Sequence, residues 1–366
     1  MKILCIIDSF NVGGAQRQLC MLAKMLSKTN DVQLLVFHPH SSFLEEEIRT
    51  LNIPITKILK KSRFDVIFIF RLIRFINENK FDLSISFLDT PNFYNELARL
   101  FKAVPKIIIS QRSAYFKKDL SVLKRFFEYF HVFADMITTN SITQAERMKE
   151  YFPILAKKII YTPNTYSFYK NFKSEFNNNN KFIVLSNLNH YKNPLSLVQA
   201  IKEFKQKYTA TKFCIYWYGR FPITDYDKQN FSKVLSIVDE YKLNNNIHFC
   251  GITNNPYEEI IKYDAIIHLS DFEGCPNSVC EAMAVKKPAI LSNVCDHKYL
   301  VSNNNGFLTD QKNPEDIADK IYNFISLSES EKKIMGERSF DYIIENMSEG
   351  NTLKKWLSVI ENVTKS

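Results

Sequence analysis

Short apolar runs alternate with helix-length periodic segments along almost the whole chain. In the first half, runs at 2–8, 31–37, 83–88, 106–110, 136–141 and 158–162 have the length and composition of strands. Segments at 14–29, 63–79, 92–102, 119–133 and 143–151 repeat apolar positions at helical spacing. The run from Asp65 to Phe70 has strand propensity. Leu72, Ile73, Phe75 and Ile76 continue it at helical spacing, which favours a helix. The second half repeats the alternation, with strands at 182–188, 213–219, 246–251, 264–270, 287–293 and 306–309. Its helices fit 194–208, 226–241, 256–262, 276–286, 313–327 and 331–346, and a last helix lies near 350–363. Strand–helix alternation of this kind is the signature of parallel α/β architecture.

Ser174 to Lys181 contains four consecutive asparagines between two strand-like segments, a polar hinge. It divides the chain into a first domain at 1–173, a linker at 174–181 and a second domain at 182–349. The last helix (350–366) is expected to pack back onto the first domain. A chain of 366 residues suits two such domains. Each reads as a Rossmann-like, doubly wound parallel sheet, which binds ligands beyond the carboxyl ends of its strands. Two of them facing each other would bind across a cleft.

At 45% apolar and 24% charged residues the chain can build packed cores, which excludes a disordered or fibrous protein. No stretch approaches the roughly 18 apolar residues of a membrane span. Met1 to Asp8 is apolar for too few residues to be a signal peptide and reads as a first buried strand. The 7 cysteines are scattered, as reduced thiols are. The expectation is a cytoplasmic protein.

The charge of +9 is uneven. Residues 1–170 hold 25 Lys/Arg against 15 Asp/Glu, and residues 171–366 hold 23 against 24. The first half alone is therefore expected to meet something anionic. Its focus is an aromatic–basic segment with Lys117, Lys118, Lys124, Arg125, Phe126 and Phe127 on an amphipathic helix. Lys57, Lys60, Lys61, Arg63, Arg71 and Arg74 extend the patch. Such a helix suits the interface of an anionic membrane, and no nucleic-acid motif accompanies the charge. A core helix with a solvated basic side is the plainer reading.

The segment from Asp264 to Ala284 carries the chemistry. A strand at 264–270 leads through Glu273 and Gly274 to Pro276, placed to open a helix. The amides of Asn277, Ser278 and Val279 would then point out of the helix start, where backbone donors favour a phosphate. Glu273 before the helix and Glu281 inside it can accept hydrogen bonds from sugar hydroxyls. A capped helix with two solvated glutamates is the bland alternative.

This stretch, Glu273-Gly-Cys-Pro-Asn-Ser-Val-Cys-Glu281-Ala-Met-Ala284, resembles the Glu-x7-Glu signature of retaining glycosyltransferases of family 4, which have the GT-B fold. Gly13-Gly14-Ala15-Gln16 looks like that family's Gly-Gly-Ala-Glu loop, with Gln16 replacing Glu. Pro288 to His297 and Asn305 to Leu308 match the stretch that follows the glutamate pair. The resemblance implies that Glu273 contacts the transferred sugar, Glu281 the nucleotide ribose, and the amides of 277–279 the diphosphate. Gly14 would approach the donor. In the loop Ser186–Asn193, the family commonly has an Arg and a Lys for the diphosphate. Lys192 matches the Lys, and Asn187 stands at the Arg position, so Arg220 could swing in instead. Arg112, at a strand's carboxyl end in the first domain, is the acceptor-side candidate.

The resemblance implies a metal-independent transfer of a hexose or N-acetylhexosamine from a UDP-sugar to a saccharide acceptor. The acceptors of such enzymes are often lipid-linked, which places the protein peripherally at the inner face of the cytoplasmic membrane. No cofactor is implied beyond the nucleotide-sugar co-substrate, and no metal: Cys275, Cys280, Cys295 and His297 are poorly spaced for zinc. A nucleotide-sugar epimerase of the same architecture and a noncatalytic sugar-nucleotide or glycan binder are the alternatives.

Overall fold

A computed structural model describes residues 1–11, 13–38, 48, 52–61, 65–112, 122–166 and 179–365, the side chains of 122–124 excepted. The chain forms two compact units, Met1–Thr165 with Glu349–Ser366, and Tyr166–Ser348. The division thus falls ahead of the Asn-rich stretch, part of which lies outside the described residues.

Unit 1 is built on seven parallel strands: β1 (Lys2–Ser9), β2 (Asp31–His38), β3 (Ile55–Lys57), β4 (Leu83–Phe87), β5 (Ile107–Gln111), β6 (Met136–Thr139) and β7 (Ile159–Tyr161). Their order is β3-β2-β1-β4-β5-β6-β7. The β4 and β5 strands are buried at every position, because helices cover both faces of a parallel sheet. The helix Val66–Asn79 resolves the ambiguous run at 65–70. Asp65 caps it by accepting from the Phe68 amide at 3.0 Å, and Phe68, Ile69, Leu72 and Ile76 face the core.

The C-terminal helix Glu349–Lys365 belongs to unit 1. Trp356, Val359, Ile360 and Val363 enter the same core as β1, β2 and β4. Trp356 stacks on Phe87 with ring centroids 6.0 Å apart.

Unit 2 has six parallel strands, β8 (Lys181–Leu185), β9 (Cys214–Tyr218), β10 (Ile247–Gly251), β11 (Ala265–His268), β12 (Ala289–Ser292) and β13 (Gly306–Thr309). Their order is β10-β9-β8-β11-β12-β13. The winding direction reverses between β8 and β11, and the loops leaving these two strands therefore part to opposite sides and open a crevice. Among the described residues no helix is long and apolar enough to cross a membrane.

Candidate functional site in unit 2

The two loops at the switch point are laced together. The β8 loop runs into a 3-10 turn at His190–Lys192 and then, through Asn193 at φ 52, into the helix Pro194–Lys207. Asparagine tolerates that left-handed conformation, and proline suits the first helical turn. The reversal aims Lys192 at the β11 loop, where its Nζ bonds to Glu273 Oε1. On either side, the Asp271 amide donates to the Tyr191 carbonyl at 2.9 Å, and Tyr191 stacks on Phe272. Asn193 Nδ2 donates to Asp271 Oδ1 at 2.9 Å, and Lys312 Nζ binds both Asp271 and Asn193 Oδ1.

Glu273 is held from behind as well. Its Oε1 accepts from His268 Nε2 at 2.9 Å and from Ser270 Oγ at 3.1 Å. Burial pushes the Lys192 ammonium down to about 8. His268 is held well below the usual histidine range by burial and by the neighbouring Lys192 charge. Behind it, burial lowers His297 to about 4, and its Nδ1 donates to the Ser292 carbonyl at 2.7 Å.

The helix after Glu273 is shorter than its sequence suggests and spans Asn277–Met283. Pro276 is not its first residue: it has extended geometry, with ψ 115, and serves as the cap residue. Asn277, Ser278 and Val279 occupy the first three helical positions, with Gly274 in the turn before them. Tyr166 donates from its hydroxyl to Asn277 Oδ1 at 2.7 Å. Glu281 sits one turn in and is buried.

Asn187 and Arg220 are exposed neighbours on the β8 and β9 loops, joined by the Arg220 amide donating to Asn187 Oδ1 at 3.1 Å. Gly219 permits this approach, since a Cβ there would collide with the Ser186 carbonyl. Unit 2 therefore brings Lys192 onto Glu273, with Gly274, 277–279 and Glu281 following in the same loop and helix and Asn187 and Arg220 on adjoining loops.

The remaining candidates lie in unit 1. Gly14 is the first residue of the helix Gly14–Leu26. Arg112 lies against the Phe87 ring, 3.9 Å from its centroid, and donates to Asn164 Oδ1 at 2.6 Å. Arg125, Phe126 and Phe127 are exposed on the helix Val122–Phe130, and Lys124 lies on that helix with its side chain undescribed. Lys117 and Lys118 lie outside the described residues.

The extension of the basic patch is narrower than expected. Lys60 is buried, with its ammonium over the Tyr94 ring. Arg71 and Arg74 are paired with Asp65 and Glu78, which removes much of their net charge. Arg63 lies outside the described residues. The exposed side chains of Val66, Ile67 and Phe70 add an apolar component beside Arg71 and Arg74 that charge counting does not reveal.

Sequence reasoning missed His268 and Ser270. The only signal for His268 was a polar residue closing the otherwise aliphatic run Ala265–Ile267. The cysteines at 275 and 280 are buried with sulfurs 3.5 Å apart, and no metal-holding cluster exists among the described residues.

Two doubly wound parallel units, the second with its polar cluster at the switch point, define a GT-B protein. Residues 12–167 match the family model "Glycosyltransferase Family 4" and residues 167–339 match "Glycosyl transferases group 1". Together the two models span residues 12–339, and the chain belongs to the GT-B glycosyltransferases. It is 27% identical, over 99% of both chains, to the Campylobacter jejuni GalNAc-alpha-(1->4)-GalNAc-alpha-(1->3)-diNAcBac-PP-undecaprenol alpha-1,4-N-acetyl-D-galactosaminyltransferase. It is 26% identical to the Staphylococcus aureus capsular polysaccharide biosynthesis glycosyltransferase CapH, covering 80% of this chain and 82% of that one. Anabaena HepE, solved in complex with UDP and glucose, shares the fold with a TM-score of 0.84 and 16% identity over 99% of both chains.

Proposed function

We propose that the protein transfers a hexose or N-acetylhexosamine from a UDP-sugar to a saccharide acceptor in surface-polysaccharide assembly, with retention of anomeric configuration. The observation that carries this reading is the contact of Lys192 with Glu273 at the switch point, with Glu281 buried in the next helix. It is supported by the glycan-assembly names of the relatives and by UDP in the related fold.

In this reading Glu273 receives the sugar and Glu281 the ribose. Lys192 and the amides of 277–279 hold the diphosphate and stabilise it as it leaves. Arg220, hung beside Asn187, supplies the cation that the Asn187 position lacks. Gly14 approaches the donor, and Arg112 contacts the acceptor. The departing charge is met by these groups without a metal ion. A lipid-linked acceptor would explain the aromatic–basic helix of unit 1, which would hold the protein at the inner face of the membrane.

The test is turnover of a panel of UDP-sugars with saccharide and lipid-linked acceptors, with the product's anomeric configuration read by NMR. Glu281→Ala should weaken UDP binding by about 1–3 kcal/mol. Glu273→Ala should spare UDP and cut turnover. Equal loss of UDP affinity in both would defeat this division of roles. Conversion of the donor without any acceptor would instead indicate an epimerase.

A further inference from the structure

The β11 strand is buried at all four positions, and after Ala265, Ile266 and Ile267 its last residue is an imidazole. A buried polar group is expected to be engaged. Here Nε2 of His268 reaches Glu273 Oε1 at 2.9 Å, while the ring lies edge-on to His297 with centroids 5.6 Å apart. Ser270 Oγ donates to the same carboxylate oxygen and sits 3.3 Å from the same ring nitrogen.

We propose that His268 is a positioning residue for glycosyl transfer, fixing the Glu273 carboxylate through an Nε2–H bond that persists when Lys192 turns to the donor diphosphate. This rests on the transfer reading above.

The argument runs through the number of donors on one oxygen. Glu273 Oε1 accepts from Lys192, His268 and Ser270, whereas Oε2 bonds to no described residue. A carboxylate can only accept, so the imidazole must present a proton at Nε2. Its deep burial and the Lys192 charge keep the ring neutral, which leaves that single proton and fixes the tautomer. When Lys192 moves to a diphosphate, Glu273 loses its cation but keeps two neutral donors on Oε1. The carboxylate stays oriented, with Oε2 available to a sugar hydroxyl. A cationic partner in place of His268 would neutralise Glu273 and compete with that hydroxyl.

The experiment compares His268→Leu, which removes the donor, with His268→Gln, whose amide offers an N–H at similar reach. In UDP-sugar turnover, His268→Leu should lower kcat about 10- to 100-fold while the Kd for UDP stays within about twofold, and His268→Gln should recover most of the loss. In parallel, nitrogen-15 NMR of labelled wild type should show His268 as the Nε2–H tautomer, with that proton signal shifted or lost in Glu273→Ala. The role is overturned if turnover survives in His268→Leu, if kcat and UDP affinity fall together, if Gln is no better than Leu, or if the proton resides on Nδ1. A wild type that turns over no nucleotide sugar defeats the transfer reading, and this role with it. Wild-type turnover with His268→Leu unimpaired defeats this role alone. Should His268→Leu fail to fold, the tautomer signal and its response to Glu273→Ala decide the case.

Discussion

Lys192 and Glu273 stand 81 residues apart in the chain and bond side chain to side chain, one from each loop beside the β8–β11 switch. The two satisfy each other where both side chains are largely buried and an isolated charge would be costly. In the proposed reading Lys192 is the cation for the diphosphate and Glu273 the acceptor for the sugar. On that reading the donor separates them, so that diphosphate binding and release of the glutamate are coupled.

The pH dependence of donor binding follows from Lys192. Burial depresses its pKa to about 8, so it is charged below that value and neutral above it. A nucleotide-sugar diphosphate is a diester and keeps its charge throughout this range. Affinity should be level below about pH 7.5 and weaken up to about tenfold per unit as pH rises beyond about 8. Lys192→Met should bind weakly at every pH, without that slope. Calorimetric titration with a non-transferable UDP-sugar provides the check; a flat wild-type profile would remove Lys192 from the diphosphate.

The C-terminal helix should be essential to unit 1. Trp356 is 1% exposed and stacked on Phe87, whose ring also lies beneath Arg112. Trp356→Ala should cost about 3–5 kcal/mol. Hydrogen exchange would show this as lost protection in β1, β2 and β4, with the unit 2 strands unaffected. Equal loss in both units would mean that the helix stabilises more than its own core.

Much of this architecture is legible because a strand covered on both faces is rich in apolar residues, such as Leu83, Ile85 and Phe87 of β4 and Ile107, Ile108 and Ile109 of β5, although Ser84, Ser86, Ser110 and Gln111 are buried with them. The helix at 66–79 was recognisable from the spacing of Leu72, Ile73, Phe75 and Ile76, and its Asp65 cap came only with the structure. β3 escaped notice: it has three residues, follows Pro54, and pairs only as an edge strand on β2. The Pro276 cap was misjudged by one position because proline is compatible with both cap and first turn. For the site, Glu273, Glu281 and Lys192 were visible through a motif. His268 was not, because a histidine ending an aliphatic strand looks the same whether it is passive in a core or bonded to a functional carboxylate five residues on. Only the backbone's return at Ser270–Glu273 separates those cases.

Acid should destabilise unit 2 through its buried histidines. His297 has its pKa lowered to about 4, and His268 is shifted the same way. Above about pH 6.5 the folded and unfolded imidazoles are both neutral. As pH falls from about 6.5 to about 4, the unfolded chain binds a proton that the folded chain refuses, so stability is lost on acidification. For His297 the loss is about 3 kcal/mol. His297→Gln should flatten that part of the denaturant-midpoint profile between about pH 4.5 and 7. An unchanged slope would mean that His297 protonates without unfolding.

Turnover should survive chelation, because in the proposed mechanism Lys192 and the amides of 277–279 meet the leaving diphosphate. The decisive assay adds EDTA to the transfer reaction and then restores Mg²⁺ or Mn²⁺. Activity abolished by the chelator and recovered with the metal would require a cation in the donor site, and Lys192 would then be only an accessory to it.

Reversible attachment to an anionic membrane should depend on unit 1. Its residues 1–170 carry 25 Lys/Arg against 15 Asp/Glu, while the rest of the chain has no cationic excess. Arg125 and Phe126 are exposed side by side, which gives a cation for lipid headgroups and an aromatic ring for the interface. Each Lys or Arg near such a surface contributes about 1 kcal/mol, and salt screens it. Cosedimentation with anionic vesicles should therefore fall with added salt and be weak with neutral vesicles. Replacing Lys117, Lys118, Lys124 and Arg125 by Gln should release the protein while leaving UDP affinity intact, because the donor-binding candidates of unit 2 are untouched. Binding unchanged by these substitutions would move the contact to another face, with the exposed Val66, Ile67 and Phe70 the next to replace. A protein that ignores anionic vesicles altogether would point to a soluble acceptor instead of a lipid-linked one.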